Sequence, residues 1–156
     1  MSTNSQHTDA RSSDSLRELW RLNRQSQEIY HYSAEQVETV GIQEAFRLIA
    51  DERETQARDL DQWSDGASQE PSPPFNANDP LHPCWEGVKE ALGGHDEYLA
   101  LEELEMGESC IEAMYQATIA TELLPLARSL AERHLIAIAT THARVRNLRD
   151  AAKPRL

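Results

Sequence analysis

At 156 residues the chain has room for one domain built around one core, since globular units usually hold about 100–200 residues. Asp and Glu number 27 against 15 Lys and Arg, a formal charge of −12, so the overall field repels phosphate backbones and anionic lipid and excludes nucleic acid and membrane as expected partners. Two cysteines, Cys84 and Cys110, in no CxxC or zinc-finger spacing, are too few for a disulfide framework and are read as free thiols of a reducing compartment.

The opening MSTNSQHTDARSSDS has no apolar segment of the secretory kind, and no run approaches membrane-spanning length, so a cytoplasmic protein is expected. Residues 1–13 are Ser-rich and aperiodic, which predicts a disordered tail ahead of a domain over 14–152. Ser15-Leu16-Arg17-Glu18 reads as a capping box opening a first helix to about Val37. Its apolar face uses Leu16, Leu19, Trp20, Tyr30, Ala34 and Val37, with Asn23, Ser26 and Gln27 on the same face at mid-length. Gly41 interrupts the pattern. A second helix then runs from Ile42 to about Trp63 on Ile42, Ala45, Phe46, Ile49, Leu60 and Trp63, and Arg53 and Gln56 fall on that side too.

The following SDGASQEPSPPFNANDP is too rich in Pro, Ser and Asn for anything but a loop. Asp79-Pro80 is the expected start of a short helix, with Asp as its N-cap and Leu81, Trp85, Val88 and Leu92 as its face, ended by Gly93-Gly94. Asp96 caps a third long helix to about Thr121. Leu101, Leu104, Ile111, Tyr115 and Ile119 form its stripe, and the residue completing the stripe is Glu108, costly among apolar neighbours unless paired or neutralised. Pro125 opens the last helix, to about Asp150, with Leu126, Leu130, His134, Ile138, Thr141, Val145 and Leu148 inward and His142 at the margin. The basic residues Arg144, Arg146, Arg149, Lys153 and Arg155 complement that helix's dipole.

Short links make the first and second helices, and the third and last, antiparallel pairs, while the long crossover makes the second and third parallel. This predicts an all-α fold: a four-helix bundle of the ferritin-like arrangement, with an extra short helix in the crossover. Counting about 1.5 Å of rise per residue gathers Asn23, Gln27, Arg53, Gln56, Glu108 and Thr141 or His142 into one middle slice, with Glu52 and Glu105 at its edge. Two chemistries fit. Arg53 and Glu108 form an ion pair completed by the amides and His142; or Glu52, Glu105, Glu108 and His142 ligate iron, manganese or zinc, as inward carboxylates and imidazoles do in bundles. Arg53 favours the first, because a fixed cation neutralises the charge a metal would.

His134 is read as a satisfied core histidine, and the acidic run Glu97, Glu102, Glu103, Glu105, Glu112 as mostly a solvated face. His31 and His95 belong to surfaces or caps. Leu135, Ile136, Met106, Cys110 and Met114 point away from the seam, which suggests dimerisation through helix faces, docking of a partner helix, or burial under the short helix. No phosphate loop, nucleophile elbow or HExxH motif occurs.

Three segments, LRELWRLNRQSQEIY, HPCWEGVKEALGGHDEYLALEELEMGE and THARVRNLRDA, resemble a proteobacterial ferritin-like four-helix-bundle family of unknown function over about residues 16–151. The resemblance implies the ferritin-like fold, an uncharacterised role mentioned alongside stress responses, and no activity. The wider ferritin-like superfamily binds two irons through Glu-x-x-His on its second and last helices. Here Thr55 stands three residues after Glu52, Ala139 three before His142, and Asn23 and Gln27 where a bridging Glu is wanted, which leaves at most a mononuclear site. The expectation is a cytoplasmic homo-oligomer with no cofactor and a structural polar layer; the alternative is a metal-dependent oxidoreductase or iron-handling protein.

Overall fold

The computed structural model describes residues 2–63 and 75–154, with side chains from Ser12 onward. Five α-helices occur among them: α1 (Ser2–Gln36), α2 (Val40–Leu60), α3 (His82–Gly93), α4 (Glu97–Ile119) and α5 (Pro125–Ala152), with one 3-10 turn at Asp61–Trp63. The described residues are all-helical.

Each long helix buries the stripe that its periodicity sets out. Leu16, Leu19, Trp20, Tyr30 and Ala34 on α1, and Ile42, Phe46, Ile49 and Leu60 on α2, meet Leu101, Leu104, Ile111 and Tyr115 on α4 and Leu130, Ile138 and Val145 on α5. Each large apolar side chain so buried contributes about 1.5–3 kcal/mol, which makes this core, rather than helix propensity, the main source of stability. α1 and α2 form one hairpin, α4 and α5 a second, and α3 lies along α4.

Several boundaries differ from expectation for local reasons. Residues 2–13 continue α1 instead of forming an irregular tail, so Ser15 and Glu18 lie inside the helix and not at a capping box. Once the amphipathic part exists, each preceding residue without Gly or Pro adds one hydrogen bond at low cost, and Ser12 is buried, its Oγ accepting from the Leu124 amide at 3.2 Å. Leu126 is exposed: the buried phase of α5 runs through Ala127, Leu130, His134, Ile138 and Thr141, about 100° of helix away. Of the crossover loop, residues 64–74 lie outside the described residues, as does Arg155.

Asp79 does not cap α3, which starts at His82 after Leu81. It accepts instead from the Asn76 amide at 2.7 Å, Gln25 Nε2 at 2.9 Å and Arg21 Nη2 at 3.0 Å, stapling the crossover to α1. Burial raises the Asp79 pKa, but those donors outweigh it and hold the carboxyl down at about 2. Trp85 is only partly buried, stacked on Phe75 with centroids 5.0 Å apart and edge-on to Tyr32 at 5.1 Å.

α3 ends at Gly93 with Gly94 as its cap, but the left-handed residue of the link is His95, with φ 58°. Asp96 Oδ1 accepts from the Leu99 amide at 2.9 Å, the N-cap expected of it. Glu97, expected on a solvated face, reaches across to the start of α2. It accepts from the amides of Glu38 and Thr39 and from the Thr39 hydroxyl at 2.8, 3.3 and 2.7 Å. A carboxylate at a helix N-terminus also meets the positive end of the dipole. Met106 and Ile136 are 56% and 71% exposed, whereas Leu135, Cys110 and Met114 pack partly against the core.

Candidate functional site

Glu108 is 1% exposed and faces Arg53, which is fully buried. α2 and α4 point these two side chains at each other because each sits on its helix's apolar stripe, where the charge cannot turn to water. Arg53 Nη2 donates to Glu108 Oε1, and Tyr30 Oη donates to Glu108 Oε2 at 2.8 Å. Glu52 Oε2 lies 3.8 Å from the same guanidinium nitrogen and accepts from Thr141 Oγ1 at 2.7 Å. One polar belt thus joins Tyr30 of α1, Glu52 and Arg53 of α2, Glu108 of α4 and Thr141 of α5.

A second belt crosses the bundle near it. Asn23 Nδ2 donates to Tyr115 Oη at 2.8 Å, Tyr115 Oη meets His134 Nδ1 at 2.9 Å, and His134 Nε2 meets Asp59 Oδ2 at 3.0 Å. Again every long helix contributes. Corresponding members of the two belts are seven residues apart: Asn23 and Tyr30, Asp59 and Glu52, Tyr115 and Glu108, His134 and Thr141. Seven residues are two helical turns, about 10.5 Å of rise, and the heptad step is the repeat of left-handed bundle packing. Numbers rise together along α1 and α5 and fall together along α2 and α4, so α2 and α4 run parallel and the neighbouring hairpin partners antiparallel. One more heptad beyond the Glu108 belt lie Val37, Ala45 and Leu101, all buried; beyond the other, Leu16 and Ala127, also buried. On the Glu108 side the layer is completed by the partly buried Leu148, whereas on the Tyr115 side α4 offers the exposed Glu122, so the Glu108 belt is the more enclosed of the two.

The electrostatics follow from this enclosure. Burial works against the charge on Arg53, yet the Glu108 carboxylate more than compensates and the guanidinium pKa is raised. Burial first, and the Glu108 charge second, hold the Tyr30 phenol well above its ordinary pKa, so it stays a donor. Burial, followed by Glu108, likewise pushes the Cys84 thiol up, which makes it an unreactive neighbour. Replacing Tyr30 by Phe is expected to destabilise the protein by about 1.5–3 kcal/mol, because it strips a hydrogen bond from a buried carboxylate; urea unfolding monitored by circular dichroism measures it.

His142 stands apart from both belts. It is buried, but its Nε2 meets Glu105 Oε1 at 2.7 Å and Ser109 Oγ at 3.3 Å, and its Nδ1 lies 3.5 Å from Glu112 Oε1. Arg146 and Arg149 approach Glu105 to 3.7 and 3.6 Å. The Ser109, His142 and Glu112 contacts do not make a nucleophilic triad: Glu105 competes for the nitrogen that would take the serine proton, and Ser109 sits in mid-helix with no free amides nearby to form an oxyanion hole.

The residues read from sequence as one slice thus fall into four groups. Arg53, Glu108, Glu52 and Thr141 come together; Glu105 and His142 pair along the α4–α5 edge; Asn23 joins the Tyr115 belt. Gln27 and Gln56 lie between the belts, and Gln27 Oε1 and Gln56 Oε1 meet no partner among the described residues. Tyr30, Tyr115, His134 and Asp59 were not among the expected polar layer. Their signal was the heptad offset, from Asn23 for Tyr30 and from Glu108, Thr141 and Glu52 for Tyr115, His134 and Asp59, hidden for the two tyrosines because a tyrosine on an apolar stripe reads as core.

For iron or manganese, the four carboxylate and imidazole residues divide into Glu52 with Glu108 and Glu105 with His142. A divalent cation at the first pair would sit against the permanent charge of Arg53; at the second it would face Arg146 and Arg149. The donor set does not fit a bundle metal centre, and no group of three or more His, Cys, Asp or Glu placed to hold an ion occurs among the described residues.

Residues 11–121 match the family model described as Domain of unknown function (DUF2383). The match takes in α1 to α4 but not α5, which supplies His134, Thr141 and His142. No curated protein matches the chain.

Proposed function

The chain belongs to the DUF2383 family, and from that membership together with the two belts we propose a non-enzymatic, ferritin-like four-helix-bundle protein. In this reading it works as a cytoplasmic, stress-associated homo-oligomer whose central polar layer holds the helices together rather than a metal. The observation that carries the structural role is the Arg53 guanidinium, buried against Glu108 and near Glu52 where a ferritin-like centre would need a metal ion. Parallel α2 and α4, joined by the long crossover, support the ferritin-like arrangement. The exposed Met106 and Ile136 support self-association, since apolar side chains left in water gain by pairing with a second copy. The stress association rests on sequence resemblance alone.

Metal analysis of protein produced with iron and manganese supplementation, beside a Glu108→Ala variant, tests the reading. Substoichiometric metal in both is the expected outcome, with a solution mass of at least a dimer by light scattering. Stoichiometric iron or manganese that is lost in Glu108→Ala would overturn it in favour of a metal-dependent oxidoreductase.

A further inference from the structure

We propose, resting on the homo-oligomer reading above, that a second copy of this chain docks on the outer face of the α4–α5 hairpin, with α4 of each copy lying antiparallel on α5 of the other. Helical geometry puts four side chains on that face. Glu105 and Glu112 of α4 both reach His142 of α5, so these residues mark the sides that the two helices turn to each other. Met106 and Ala113 lie one residue past those glutamates, Ala143 one residue past His142, and Ile136 a heptad before Ala143. One residue is a turn of about 100°. Because both helices are right-handed and they run antiparallel, that turn carries both pairs to the same side, away from the core. All four are exposed, Met106 by 56% and Ile136 by 71%.

The face carries its own complement. Tyr115 meets His134 and Ser109 meets His142, which sets the levels along the antiparallel pair. On that scale Ala113 is level with Ile136, and Met106 with Ala143 to within about one helical turn. Each large side chain thus has a small one beside it on the neighbouring helix. A two-fold axis parallel to the helices brings α4 over the second copy's α5 at the same level. Met106 then packs on Ala143 and Ile136 on Ala113, each contact made twice by symmetry, as knobs meet small residues in bundle packing. The exposed Ser109 and Ala139 between these contacts let the backbones approach.

Charge selects this crossed pairing over the stack in which each helix lies on its own copy. α4 carries six glutamates and no Lys or Arg, and α5 carries five arginines against Glu132 and Asp150. Laying α4 on α4 sets acid against acid; laying α4 on α5 sets acid against base. The basic end of α5 then covers the acidic start of α4. Arg144, exposed and in no ion pair among the described residues, comes to Glu103 of the second copy, and Arg146, 49% exposed, comes to Glu102. Opposed potentials of this kind fix the orientation and register of partners.

Analytical ultracentrifugation of the full chain over about 1–500 µM tests this, beside Ile136→Glu, Met106→Glu and a control on the other hairpin, Leu48→Glu, whose side chain is 56% exposed. The parent is expected to be a dimer. Ile136→Glu and Met106→Glu should each raise Kd roughly hundredfold, and Leu48→Glu should leave it unchanged. Arg144→Glu should weaken the dimer roughly tenfold, and adding Glu103→Arg should restore it. Circular dichroism checks that each variant keeps its helices; should Ile136→Glu lose them, Met106→Glu decides. A parent that stays monomeric overturns the homo-oligomer reading and this docking together, leaving the face to a partner of another kind. A dimer untouched by Ile136→Glu and Met106→Glu, or weakened as much by Leu48→Glu, leaves that reading standing and overturns this face. A dimer indifferent to Arg144→Glu, or not restored by Glu103→Arg, overturns the crossed pairing.

Discussion

Replacing Arg53 by methionine is expected to destabilise the protein by about 3–5 kcal/mol, the usual cost of stranding one member of a buried ion pair. Glu108 is the residue stranded. It is 1% exposed, so water cannot replace the guanidinium, and it keeps only the Tyr30 hydroxyl. Combining Arg53→Met with Glu108→Gln should recover much of the stability, because an amide of the same shape still accepts from Tyr30 and carries no charge. Urea denaturation of the parent and both variants measures this. A single variant as stable as the parent would show that the pair carries no stability.

Gly107→Val is expected to cost about 3 kcal/mol, the upper part of the range for overpacking a core. α3 approaches α4 so closely that a Cβ at residue 107 would lie 2.8 Å from Cys84 Sγ, with Leu81 Cδ2 at 3.9 Å. The neighbouring cavity, lined by Cys84, Gly107, Glu108 and Tyr30 among others, is about 10 Å³, too small for three added carbons. α3 must therefore move outward, and the Cys84 thiol, buried in the parent, should react faster with a thiol reagent. Gly87→Ala is the contrast. The atoms nearest a Cβ there are Cγ, Cδ and Oε2 of the Glu103 side chain, which can swing away by turning about its Cα–Cβ bond, so the change should be neutral or gain up to about 1 kcal/mol of helix propensity. Equal losses from both would mean that the α3–α4 approach is not tight.

The helices were legible in the sequence because 3.6-residue periodicity reports burial directly and Gly93 and Pro125 mark helix ends, whereas Gly41, read as a break, lies inside α2, which starts at Val40. The Arg53–Glu108 pair was legible for the same reason: a charge on an apolar stripe must find a partner inside. His142 was harder. It lies one residue past Thr141, so a turn of about 100° takes it from the seam to Glu105 on the flank of α4. Tyr115 and Tyr30 were hidden because an aromatic on the stripe satisfies periodicity, and only its partner shows that the hydroxyl matters. Asp59 and Glu97 were hidden differently. Each lies at the edge of a solvated face, and its role depends on which neighbouring helix happens to end or pass there, something no single helix encodes.

The seven-residue offset between the belts has a consequence for how the two hairpins find their alignment. Sliding one hairpin past the other by a heptad keeps most apolar positions matched, so hydrophobic burial alone discriminates poorly against it. The slide in one direction puts Glu108 among Val37 and Ala45; in the other it sets Glu108 level with Asp59 and Asn23, and carries Arg53 into the layer of Leu101. Both misalignments bury a charge without its counterpart, a penalty of several kcal/mol. The two belts therefore act as a vernier that admits one longitudinal setting, and they give the bundle a uniqueness that its oily residues do not supply.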